Sequence, residues 1–268
     1  MAATAHTAPA LNEALLEAAE KGKHMKVRRL LAAGADANAT NKFGATSLLF
    51  ASENGHAACV RALLRAGANT ETRKWGERTP LHLACEKGHA ACVRALLAQG
   101  AHLEAMADYG ATPLYIASQR GHEACVRVLL QARANLYATG KYRDTPLHAA
   151  CHFGHEACVR ALLEAGANCE AKNRKDWTPL HTASFHNRTA FVAVLLGVGA
   201  DIEARTVYHM TPLFIGSLLG STEATRMLLR TGADVEAVSM NTSRVLHSVA
   251  DDEDVTDAYV RVLLEAGA

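Results

Sequence analysis

An all-α fold, a solenoid of helix-turn-helix repeats with short hairpin-like fingers between them, is what the sequence predicts, and three observations predict it. The stretch that opens Thr79-Pro80-Leu81-His82 recurs in phase, its threonine reappearing at Thr46, Thr112, Thr145, Thr178 and Thr211, a period of 33 residues. Within most periods two short apolar-periodic runs are each closed by a glycine, as at Gly88 and Gly100. Each run has only two or three turns, well short of the roughly 12–15 residues an isolated helix needs in water, so stability must come from stacking repeats.

One period shows how the elements arise. Thr79 can cap a helix with its hydroxyl, and Pro80 at the first helical position lacks an N–H that would have had no partner there. Leu81, Ala84 and Cys85 then fall on one face, and Val93, Leu96 and Leu97 do the same in the second run. Ala84 and its equivalents Ala51, Ala117, Ala150 and Ala183 let neighbouring helices approach closely. The connection from Glu104 to Ala111 is short, contains Asp108 and Gly110, and reads as a finger. With these motifs in phase, the chain resembles ankyrin repeat proteins over nearly all its length. That resemblance implies a non-catalytic binding scaffold.

Taken in order, residues 1–10 hold little that could be buried and are expected to be disordered. Residues 11–268 form the repeat domain of about eight repeats. An N-terminal cap occupies 11–40, where Leu15, Leu16, Ala19, Val27, Leu30 and Leu31 point inward and Glu13, Glu17, Glu20, Lys21 and Lys23 stay outside. Six internal repeats fill 41–243. An irregular repeat fills 244–268, with the acidic run Asp251-Asp252-Glu253-Asp254 between its helices. Regularity declines toward this end, where Asn187-Arg188 and Gly220-Ser221 replace the usual Gly-His step and Gly216 replaces an inner alanine. Arg133 stands where other repeats have Gly34, Gly67, Gly100, Gly166, Gly199 and Gly232, so a soft point is expected there.

Composition excludes several classes. The formal net charge is +1 and the sequence pI about 7.7, far from the strongly basic domain of a dedicated nucleic-acid binder. There are seven cysteines; Cys59, Cys92, Cys125 and Cys158 share one phase, Cys85 and Cys151 another, and Cys169 stands apart. They read as small core residues in a reducing compartment. No secretory pattern opens the chain and no apolar run reaches membrane-spanning length, so a cytoplasmic, membrane-free protein is expected, with the nucleus also open.

Catalytic motifs fare poorly. Gly197-Val198-Gly199 lacks a third glycine and follows a helix, so it reads as a helix end, not a nucleotide loop. There are fourteen histidines, but His82, His148, His181 and His247 share one phase, as do His56, His89, His122 and His155. Catalysis needs one unique constellation, whereas these are copied, so they read as scaffold hydrogen bonding, and the resemblance to ankyrin repeats implies that they bridge adjacent turns. No enzyme activity, cofactor or metal is expected.

Recognition must then use the positions that differ between repeats. Just before each threonine the fingertips carry Lys42 and Phe43; Trp75 and Arg78; Tyr109; Lys141, Tyr142 and Arg143; Arg174, Lys175 and Trp177; Tyr208 and His209. Aromatic and arginine side chains are the usual anchors of protein interfaces. A second surface lies just before each first-helix glycine, a position that faces inside the curve in ankyrin repeats. There the series runs from Glu53-Asn54 and Glu86-Lys87 to Phe153, Phe185, Leu218 and Leu219, turning from charged to apolar. The expected function is an adaptor that binds a protein partner through fingertips and groove, as a monomer unless its C-terminal end is uncapped. Two alternatives stand beside it. The Ala-Cys-Val-Arg-Ala-Leu-Leu runs are similar to those of ankyrin-and-SOCS-box proteins, which would imply the substrate-recognition subunit of a ubiquitin ligase, although no SOCS-box segment is seen. Basic fingertips including Lys42, Lys74, Lys172 and Arg174 would serve nucleic-acid binding, whose signature is steep salt dependence.

Overall fold

The computed structural model describes residues 7–74, 76–218 and 221–237. Trp75, Leu219, Gly220 and the repeat expected at 244–268 lie outside the described residues. The chain divides into two compact halves, 1–138 and 139–268. In the first are α1 (Ala8–Glu20), α2 (His24–Ala32), α3 (Ser47–Glu53), α4 (Ala57–Arg65), α5 (Pro80–Glu86), α6 (Ala90–Leu97), α7 (Pro113–Arg120) and α8 (Glu123–Gln131). The second holds α9 (Pro146–Phe153), α10 (Glu156–Glu164), α11 (Pro179–Phe185), α12 (Thr189–Gly197), α13 (Pro212–Leu218) and α14 (Thr222–Arg230). The first helix starts at Ala8, inside the stretch expected to be disordered, because Pro9 fits a first helical turn and Leu11 and Leu15 are buried.

Within each half, consecutive helices pair and the pairs stack, so that α1, α3, α5 and α7 form one layer and α2, α4, α6 and α8 the other. In the second half α9, α11 and α13 form one layer, and α10, α12 and α14 the other. Leu49, Leu81, Leu114, Leu147, Leu180 and Leu213 sit in the seams, and the inner alanines Ala51, Ala84, Ala117, Ala150 and Ala183 are wholly buried. Fingers join the pairs: two close with a single antiparallel bridge, Thr40 to Thr46 and Lys74 to Arg78, and two contain a short 3-10 turn, at Asp108–Gly110 and Lys141–Arg143. Among the described residues no helix is long and apolar enough to cross a membrane.

The repeated histidines tie one repeat to the next, a longer reach than the adjacent turns expected of them. The Thr79 N–H donates to Nδ1 of His82 (3.2 Å), whose Nε2–H donates onward to the Ala111 carbonyl (3.1 Å) in the next finger. His148 reaches the Trp177 carbonyl (2.8 Å) and His181 the Met210 carbonyl (3.1 Å) in the same way. The second set runs backwards: Nε2–H of His56, His89 and His122 donates to the carbonyls of Glu20, Glu53 and Glu86 at 3.0, 3.1 and 2.9 Å. Where the second half lacks the Gly-His step, Ser221 Oγ–H donates to the Phe185 carbonyl (3.4 Å) and the Ala224 N–H to Asn187 Oδ1 (3.0 Å).

Arg133 adopts the left-handed backbone of the glycines it replaces, with φ 65°. An added Cβ meets nothing within 4 Å at Gly34, Gly67, Gly100, Gly166, Gly199 or Gly232. The cost at Arg133 is therefore one of backbone conformation and not of crowding. Arg133→Gly is expected to raise stability by about 1 kcal/mol, seen as a higher thermal midpoint; an unchanged or lower midpoint contradicts this.

Candidate functional site

The second half carries a cleft of about 400 Å³ between the inner helix ends and the fingers. Its position follows from the turn chemistry of the finger before α11. Asn173 Oδ1 accepts the N–H groups of Lys175 (2.9 Å) and Trp177 (3.1 Å), closing the fingertip on itself, while its Nδ2–H donates to Asp144 Oδ1 (2.8 Å). The Arg174 N–H donates to the Tyr142 carbonyl (2.9 Å), which joins this finger to the one before α9. With its carbonyl held by His148, the Trp177 backbone is fixed from both sides.

Side chains on this frame meet tilted or edge to face. The Trp177 and Phe185 rings lie 5.1 Å apart between centroids, Phe185 and His186 4.8 Å, His186 and His152 4.3 Å, and His152 and Phe153 4.5 Å. The result is an aromatic row from fingertip to groove. Tyr142, Arg174, Lys175, Trp177, Phe185, His152 and His186 line the cleft. His152 Nδ1 and His186 Nε2 are 3.1 Å apart, so one ring donates to the other. Burial, followed by the proximity of His152 and Arg188, lowers the His186 pKa to about 4, which keeps the imidazole neutral at pH 7. Among the described residues no group of three His, Cys, Asp or Glu side chains is placed to hold a metal, so the histidine pair has no third ligand.

The same positions in the first half are filled by ions. Arg78 and Glu86, three periods before Trp177 and Phe185, form a 2.6 Å ion pair. Arg120 and Glu86, two periods before His186 and His152, form another at 2.8 Å. Lys74 pairs with Glu53 at 2.9 Å. Arg78 was expected to face a partner, yet its charge is engaged by Glu86, itself only 11% exposed. These three cations are matched by two glutamates, whereas Arg174 and Lys175 at the cleft have no ion pair among the described residues.

The other expected contact residues are exposed but stand apart from the cleft. Phe43, Tyr109 and Tyr208 are 60%, 75% and 59% exposed at their own fingertips. Arg143 adjoins Tyr142, and Lys42 Nζ sits 5.0 Å over the Phe43 ring. Phe153 extends the aromatic row without lining the cleft, and Leu218 is exposed. The sequence reading missed a second feature, an outer groove of about 720 Å³ between α12 and α14 lined by Ala193, Leu196, Ile202 and Met227. Its signal was present: Ala193 interrupts the second-helix series Arg28, Arg61, Arg94, Arg127, Arg160 and Arg226.

Among the thiols, hydrogen bonding with Cys85 lowers the Cys125 pKa, but Cys125 is buried. All the cysteines are free and all but Cys169 are buried. Burial pushes Cys92 up to about 11 and Cys151 higher still, so neither is a nucleophile at neutral pH.

Comparison with known proteins agrees with the geometry. The family model for ankyrin repeats (3 copies) matches residues 15–107, 68–140, 103–173 and 168–239. Among solved structures, the human ASB11 ankyrin repeat domain is 28% identical, with a TM-score of 0.63 over 95% of this chain and 97% of that one. No curated protein sequence matches. Paired helices, Thr-His caps that cross from repeat to repeat, and family matches spanning most of its length together place the chain in the ankyrin repeat family.

Proposed function

We propose that this protein is a non-catalytic adaptor that holds a protein partner in the cleft of its second half, with Trp177 and Phe185 as anchors. The observation that carries this reading is convergence. Fingertip residues Tyr142, Arg174 and Trp177 and the groove residue Phe185, drawn from two successive fingers and the helix that follows, line one concavity. Half-buried aromatics in a concave setting are the features that concentrate binding energy in protein interfaces. Ankyrin repeats in general mediate protein–protein interaction, and the partner's identity lies in the divergent side chains.

In a binding assay with the captured partner, Trp177→Ala and Phe185→Ala are each expected to weaken affinity at least tenfold while leaving the thermal midpoint within a few degrees. Equal affinity in both variants removes the cleft from the interface. A second reading, the substrate-recognition subunit of a ubiquitin ligase, is favoured by the likeness to the ASB11 ankyrin repeat domain. A natural transcript that encodes a SOCS-box segment after Ala268 would support it. Nucleic-acid binding is less well supported. Lys74 and Arg78, two of the basic fingertip residues it would use, are paired with glutamates.

A further inference from the structure

From the difference between the two halves we infer the chemistry of the partner: the cleft takes a peptide segment that places one large apolar side chain against Trp177 and Phe185 and flanking carboxylates against Arg174 and Lys175. The inference rests on the proposed binding role and goes beyond it. It follows from comparing the repeats with one another. In the first half the basic side chains Lys74, Arg78 and Arg120 meet acids, Lys74 facing Glu53 and both Arg78 and Arg120 facing Glu86. In the second half the positions of Glu53 and Glu86 are taken by His152, Phe185 and Leu218, none of them acidic. Arg174 and Lys175 nevertheless remain on the cleft wall, exposed, with no ion pair of their own among the described residues.

The local charges bear this out. Asp144 is the one carboxylate lining the cleft, and its Oδ1 already accepts the Asn173 amide. Asp176 lies in the same fingertip, and Lys141 and Arg143 add two further cations on the neighbouring finger. His152 and His186 are hydrogen-bonded to each other and add no acid. A cationic rim around an aromatic floor complements a segment with the opposite rim and an apolar centre. At about 400 Å³ the cleft is near the lower end of ligand pockets, roughly 300–1,000 Å³, and suits a side chain with its flanks better than a folded surface.

A random linear peptide library displayed on phage, panned against the full 268-residue chain, tests this, followed by titration of the enriched peptides as synthetic fluorescein conjugates. The expected result is enrichment of Trp, Phe or Leu flanked by Asp or Glu. Affinity should fall at least tenfold in Trp177→Ala and in the exposed double variant Arg174→Glu with Lys175→Glu, both checked for an unchanged helical circular dichroism spectrum. The double variant keeps the test decisive should Trp177→Ala fold poorly. Enriched peptides that are basic, or lack a large apolar residue, yet still lose affinity in Trp177→Ala overturn the partner chemistry and leave the cleft as the binding site. Enriched peptides indifferent to both variants, or no enrichment at all, overturn the chemistry and the cleft together.

Discussion

Lowering the pH from 7.5 to 5.0 is expected to take roughly 2 kcal/mol of folding stability from each of His82 and His181. Burial, the larger cause, lowers both pKa values to about 4, against a partial opposing effect of their backbone hydrogen bonds. The bonding pattern gives the chemical reason. Nδ1 accepts the threonine N–H, at 3.2 Å in His82 and 3.1 Å in His181, so a proton added there destroys the cap. The folded state therefore holds these rings neutral while the unfolded chain takes up protons near the ordinary histidine pKa of about 6.5. Their contribution is complete above that value and is lost as pH falls toward about 4. His148, lowered for the same reason, adds to the effect. Urea midpoints at the two pH values measure it, and the imidazole resonances of His82 and His181 should still report neutral rings at pH 5.5 in the folded protein. An unchanged midpoint, or rings protonated at pH 5.5 in the folded state, contradicts the account.

Gly88→Ala should cost roughly 2–3 kcal/mol, of which the left-handed backbone accounts for about 1–2 and the hydrogen bond of His122 for about 1. The φ at Gly88 is 80°, and an added Cβ would lie 2.6 Å from Nδ1 of His122, whose Nε2–H is held by the Glu86 carbonyl. The ring cannot yield without breaking that bond, and the bond joins two repeats. Gly67→Ala is the matching control. Its φ is 81° and its Cβ would meet nothing within 4 Å, so only the backbone cost applies. Equal destabilisation by the two substitutions would show that the histidine bond contributes nothing to the stacking of repeats.

The period, the helix pairs and the threonine caps were legible in the sequence because each is a local rule repeated in phase. Pro80 begins α5, Thr46 Oγ1 accepts the Leu49 N–H, and Gly88 ends its repeat's first helix in the left-handed conformation, all as spacing alone requires. The reach of the histidines was not legible, since nothing in Thr79-Pro80-Leu81-His82 says that Nε2 meets a carbonyl 29 residues away. The site was legible only in part. Tyr142, Arg174, Trp177 and Phe185 stood out separately as divergent, but their convergence depends on Asn173 folding the fingertip back and on the bond from Arg174 to Tyr142. His152 and His186 neighbour Phe153 and Phe185 in the sequence, but nothing there says that their rings meet. Arg78 stood out as a fingertip cation, but its ion-pair partner Glu86 belongs to a different element, and only the fold brings them within 2.6 Å.

Emission from Trp177 during binding is the most direct probe of whether a ligand enters the cleft. The chain has two tryptophans, so Trp75→Phe leaves Trp177 as the sole reporter. Titrating that variant with a peptide enriched by panning should shift the Trp177 emission to shorter wavelength and saturate with the peptide's own affinity, as a half-buried indole loses its remaining water. A peptide that binds this variant at saturation while the emission stays where it was in the free protein places the partner elsewhere on the molecule.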